Sequence, residues 1–136
     1  MIHRNRRTLR LAVVAASGLC ALGLAAGTAS AKSGIYFSAG PHNVRLGSLI
    51  HATGHGEDDN ATFNKFCVQE RSGGSAWKTL RCSRGSYNGG GSVSISTRAE
   101  RRGVVSLRGV LLEGSSPKDN HPKVRLTSRV FALAVR

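Results

Sequence analysis

His51, His55, Glu57, Asp58 and Asp59 crowd into nine residues, where imidazoles and carboxylates meet. Such groups can hold zinc or another divalent ion. On a helix, histidines four apart share a face, as in proteases that set a glutamate between two zinc-bound histidines. Gly54 and Gly56 disfavour a helix here. Calcium is the other ion that Glu57, Asp58, Asp59 and Asn60 suggest. Their run lacks the alternating ligands of a calcium loop, and Gly56 precedes the acids instead of standing among them. The expectation is a solvated acidic loop over Gly54 to Asn60, with a weak cation site as the alternative.

A nucleophile and base can be drawn from Ser83, Ser86 or Ser92 with His42, His51, His55 or His121. No Gly-x-Ser-x-Gly elbow surrounds any of these serines. Cys67 and Cys82 form the sole cysteine pair beyond residue 31, and an oxidising compartment would join them as a disulfide, which removes a thiolate nucleophile. Gly89, Gly90 and Gly91 have no Lys-Ser/Thr pair after them and no strand-to-helix unit around them. They read as a flexible hairpin connection. No catalytic residue, metal or cofactor is expected.

Positive charge is the strongest remaining signal. Arg71, Arg81 and Arg84 flank the cysteine hairpin, Arg98, Arg101 and Arg102 gather at a turn, and Lys123, Arg125 and Arg129 recur near the C-terminus. A surface of this sign attracts wall polymers, phospholipid heads, extracellular DNA or acidic proteins. Specific reading of nucleic acid is not expected, because no helix is offered to a major groove and Trp77, Tyr36 and Tyr87 are few stacking partners.

The N-terminal segment places Arg4, Arg6, Arg7 and Arg10 before an apolar run, Leu11 to Ala26, and then Ala29, Ser30 and Ala31. Basic, apolar and small-residue regions in that order make a cleavable export signal, with processing expected after Ala31. A retained signal anchor is the alternative. With residues 1–31 removed, no stable membrane span is expected. Sixteen of the twenty Lys and Arg and all seven acids lie after residue 31, an excess of nine positive charges. The remaining 105 residues suit one domain.

These residues must be positioned by strands. After Ala31 no helical period is sustained, and short Val, Ile, Leu, Phe and Thr runs alternate with Gly, Asn, Asp and Ser. Seven strands are expected: 35–38, 43–52, 63–70, 77–82, 92–99, 104–113 and 124–135. Val44, Leu46, Ser48 and Ile50 share one parity, as do Val93, Ile95 and Thr97, and Phe66 and Val68 face away from Cys67 and Gln69. Trp77 should anchor the core or a satellite cluster beside it.

Strand number and chain length resemble the immunoglobulin and fibronectin type III sandwiches. The resemblance implies an all-β sandwich of about seven antiparallel strands over 34–135, with a closed β-barrel as the alternative. Distant cysteines flanking a tryptophan, the immunoglobulin hallmark, are absent, since Cys67 to Cys82 spans a single hairpin.

The expected function is a secreted, basic, non-catalytic binding or structural domain at the bacterial cell surface or in the medium. Its partner is an anionic cell-envelope polymer or an extracellular protein. An inhibitor of another extracellular protein, inserting the hairpin Arg71 to Trp77 or the loop Ser83 to Gly91, is the second reading. A metal-dependent or serine hydrolase using His55 is the third.

Overall fold

Side-chain alternation with a period of two governs the chain from Ser33 to its end. The computed structural model describes residues 32–136, so the expected leader lies outside the described residues. Ten strands form: β1 (Ser33–Gly40), β2 (Asn43–Val44), β3 (Leu49–Asp58), β4 (Phe63–Ser72), β5 (Lys78–Cys82), β6 (Ser86–Tyr87), β7 (Gly90–Arg98), β8 (Gly103–Gly114), β9 (Lys123–Thr127) and β10 (Phe131–Val135). Among the described residues there is no helix, and hence none long and apolar enough to cross a membrane.

One sheet runs β1-β3-β7 and the other β2-β10-β8-β4-β5, with β6 also on β4 and β9 also on β8. β1 and β7 end the smaller sheet, so the described residues form no closed barrel. The arrangement is broadly a sandwich. Phe66, Ile50, Leu107, Leu111, Leu133 and Val68 are fully buried between its layers. Phe37 joins them, packing edge-on to Phe131 with ring centroids 5.6 Å apart.

The count exceeds seven because two expected strands are broken and one short strand is added. The second is interrupted at Arg45 to Ser48, where the Ser48 N–H donates to the Arg45 carbonyl at 3.0 Å and Gly47 takes a φ of 84°. Leu46 consequently faces solvent in spite of its parity. The last is interrupted at Ser128, whose hydroxyl and N–H each bond the backbone of Gly109 at 2.9 Å. Ser86 and Tyr87, read as turn, add a short strand opposite Asn64 and Phe63.

The largest correction concerns Gly54 to Asn60. β3 continues through to Asp58, with Ile50, Ala52, Gly54, Gly56 and Asp58 buried and His51, Thr53, His55 and Glu57 exposed. Phe66 of the opposite sheet explains it. A Cβ on Gly54 would lie 2.6 Å from the Phe66 Cζ and 3.0 Å from the Phe37 Cδ2, and one on Gly56 would lie 3.1 Å from a Leu111 methyl. The glycines are core positions whose volume is supplied by Phe66 and Leu111 from across the sandwich and by Phe37 on the neighbouring strand. Gly90 and Gly91, read as connection, instead open β7. Gly90 is paired with Glu57 and is so close to the Gly56 carbonyl that no side chain fits.

β4 and β5 form the expected cysteine hairpin. Cys67 stands directly opposite Cys82, their Cα atoms are 4.0 Å apart, and the disulfide is formed. The Cys67 side chain lies on the outer side of the sheet, away from Phe66, yet is fully buried.

Candidate functional site

Strand alternation divides the histidine and acid constellation between two environments. Asp58 points inward, only 2% exposed, and accepts a hydrogen bond at 2.6 Å from Nε of Arg125 on β9. Glu113 adds a second carboxylate 3.7 Å from the same Nε. The Asp58 hydrogen bond, then its charge, raises the Arg125 pKa above the usual arginine value. The acidic run is therefore not a solvated loop: Asp58 ties the end of β3, the central strand of one sheet, to the other sheet. Asp59 accepts the Lys32 N–H at 3.0 Å.

His51 and His55 both face outward on β3. Four residues of extended chain separate them by about 13 Å, too far for one ion. Among the described residues, no group of three or more His, Cys, Asp or Glu could hold a metal. His55 stacks on Tyr36 with centroids 5.6 Å apart, and His51 Nδ1 lies 2.7 Å from the Ser96 hydroxyl. A shallow, hydroxyl-rich depression of about 530 Å³ lies among Ser38, His51, Thr53, Ser94 and Ser96.

Two of the three serines read as nucleophile candidates make backbone contacts. Ser83 Oγ accepts the Phe66 N–H at 3.0 Å, and Ser86 Oγ donates to the Gly90 carbonyl at 3.1 Å. Ser92 is exposed on β7 in register with His55. His121 lies in the loop after β8, where its N–H and that of Ser115 bond Asp119. Those backbone hydrogen bonds hold the Asp119 carboxyl below the usual aspartate value.

The cations do not form one patch. Arg71 on β4 and Arg108 on β8 share the outer face of the larger sheet, because Arg71 pairs with Ser106 and Gln69 with Arg108. Trp77, just before β5, covers them. The guanidinium carbons of Arg108 and Arg71 lie 4.2 and 4.6 Å from its ring centroid. Each such contact is worth about 0.5–2 kcal/mol, depending on desolvation. Arg108 Nε donates to Gln69 Oε1 at 2.9 Å, whereas Arg71 Nε is buried without a partner among the described residues. Partial burial, then the nearby charge of Arg71, lowers the Arg108 pKa below the ordinary arginine value. Trp77 thus anchors a satellite cluster, and its two cations repel each other.

Arg81, Arg98 and Arg101 lie elsewhere, along a groove between the β5 and β7 edges. Arg98 also donates to the Gly47 carbonyl. Arg129 covers Phe131, its guanidinium carbon 4.5 Å from the ring centroid. Lys123 lines a separate depression with Asp119 and His121. Arg84 and Arg102 are exposed between strands. Arg108 is the member that sequence reasoning passed over. Its signal was present: Arg108 alternates outward with Ser106 and Val110, as Arg71 does with Cys67 and Gln69.

No protein-family model matches the sequence. No curated protein matches it. Among solved structures, a β-glucosidase from Listeria innocua in complex with isofagomine is similar at 12% identity and a TM-score of 0.42, over 76% of this chain and 16% of that one. A mutant of that enzyme in complex with laminaribiose gives 13% identity and a TM-score of 0.44 over the same shares, 76% and 16%. A CARDB domain from Pyrococcus furiosus, in complex with di-metal ions, gives 11% identity and a TM-score of 0.42, over 76% of this chain and 93% of that one. The chain spans only 16% of the β-glucosidase chains. Likenesses this distant bring neither an activity nor a ligand to it.

Proposed function

We propose that this chain is an exported, non-catalytic binding domain that takes an anionic polymer of the bacterial cell envelope on the outer face of its larger sheet. The observation that carries the reading is the pair of guanidiniums, Arg71 and Arg108, held over one indole ring. Two cations against one ring repel, and the proton affinity of Arg108 is lowered by burial and then by the charge of Arg71. A phosphate or carboxylate placed against both relieves the repulsion through charge-assisted hydrogen bonds. The excess positive charge elsewhere speeds the encounter without defining the site.

The scaffold is proposed as fibronectin-like. The fourth strand line, β5, joins β4 in the larger sheet, whereas in constant immunoglobulin domains the fourth strand joins the first sheet. The inhibitor reading has less support, because Trp77 lies against its own sheet and β6 pins the Ser83 to Gly91 loop to β4.

The test is retention on an anionic wall polymer across a salt series, comparing two double variants of identical charge. Arg71→Gln with Arg108→Gln should lose most retention, while Arg84→Gln with Arg102→Gln should lose little. Equal losses would reduce the interaction to net charge and remove the site.

A further inference from the structure

The smaller sheet ends in an open edge beside a lined groove. Among the described residues, β7 has only β3 as a strand partner. At its start the Gly90 carbonyl is taken by the Ser86 hydroxyl, so the open stretch runs from Ser92 to Arg98. Along a paired strand, alternate N–H and C=O groups point to each side, and those aimed away from β3 form a template for another strand. Seven residues at about 3.3 Å each offer an edge of about 23 Å.

The opposite wall is β5, the edge of the other sheet. A register shift between Val68 and Gln69 adds a residue to β5, so that Leu80 and Arg81 both border the gap. The gap consists of two depressions, of about 490 and about 370 Å³, which share Leu80 and Thr97. Leu80 and Ile95 are partly buried against the core and make an apolar floor. Arg81, Lys78, Arg98 and Arg101 line the rim, against two carboxylates, Glu70 and Glu100. Burial pushes the Glu70 carboxyl up, Lys78 opposes this, and Glu100 adds to it.

We infer that this groove is a peptide-binding site, in which an extended acidic segment of a partner protein adds as a strand to β7 between Ser92 and Arg98. Alternate side chains of the peptide would rest on Leu80 and Ile95, and those between them would meet the basic rim. Main-chain pairing supplies affinity in this mode, and the side-chain pockets supply selectivity. A wall polymer has no peptide ladder to pair with β7, so the site is separate from the Trp77 face.

The experiment uses synthetic peptides of alternating Val and Glu, Val and Gln, or Val and Lys, with binding read by amide hydrogen exchange and calorimetry. The Val/Glu peptide should protect amides within Ser92 to Arg98, and bind at least tenfold more tightly than the Val/Lys peptide. N-methylation of its alternate backbone amides should abolish binding. Arg81→Glu with Arg101→Glu should weaken it at least tenfold, and Arg71→Gln with Arg108→Gln should leave it unchanged. Undiminished binding of the N-methylated peptide would overturn strand addition. Equal affinity for the Val/Lys peptide would overturn the charge assignment. No protection in β7, or binding lost with Arg71 and Arg108 instead, would overturn the site and leave the wall-polymer reading to its own test.

Discussion

Asp58 and Glu70 are both inward-facing carboxylates, and their different partners give them opposite consequences. Asp58 is almost fully buried, and Arg125, half exposed, is its close ionic partner. Removing one member of a buried pair leaves an uncompensated charge, at a cost of about 3–5 kcal/mol for full burial. Arg125→Met should lower the urea midpoint, though by less than full burial of both partners would imply, because Arg125 is partly solvated. Arg84→Met, on an exposed loop, should change stability by less than about 0.5 kcal/mol. Glu70 carries the reverse sign. Its folded pKa lies above its ordinary value, chiefly through burial. Its favourable contribution is therefore complete below the unfolded glutamate range and is lost as pH rises through the folded value. Glu70→Gln should match the native chain in acid and exceed its stability at neutral pH. A loss of stability at neutral pH would show that the Lys78 contact outweighs burial.

At the scale of strands, legibility followed where volume was stored. The β4 and β5 hairpin could be read because Phe66, Cys67, Val68 and Cys82 carry their own signals of parity and pairing. The end of β3 could not, since Gly54 and Gly56 show no apolar bulk and the groups that fill their side belong to Phe66, Phe37 and Leu111. The same separation in sequence hid the pairing of Asp58 with Arg125, 67 residues later. Breaks at Ser48 and Ser128 were illegible because tertiary hydrogen bonds, not local turn chemistry alone, set them. Gly54→Ala should cost about 1–3 kcal/mol by overpacking, measured by urea unfolding. Reducing the disulfide releases a loop of 15 residues, and the urea midpoint should fall by the equivalent of about 3 kcal/mol.

Over the whole molecule, charge was legible in sign and amount but not in distribution. Of the nine cations singled out from sequence, Arg71 joins Arg108 at Trp77, Arg81, Arg98 and Arg101 line the β5 and β7 groove, and Arg125 is engaged with Asp58. A net-charge argument treats these as equivalent. Geometry separates them into an ion pair, a groove and an indole-backed platform. At about 0.1 M salt the screening length is about 10 Å. Long-range attraction should therefore fade first with added salt, and contacts at the platform last.

Trp77 is the only tryptophan in the chain, so its fluorescence reports on this platform alone. The decisive measurement is a titration with anionic wall polymer at moderate salt. The proposed function requires a saturable change in Trp77 emission, absent from Arg71→Gln with Arg108→Gln. Polymer that binds to saturation while the emission of the native chain stays constant would contradict it.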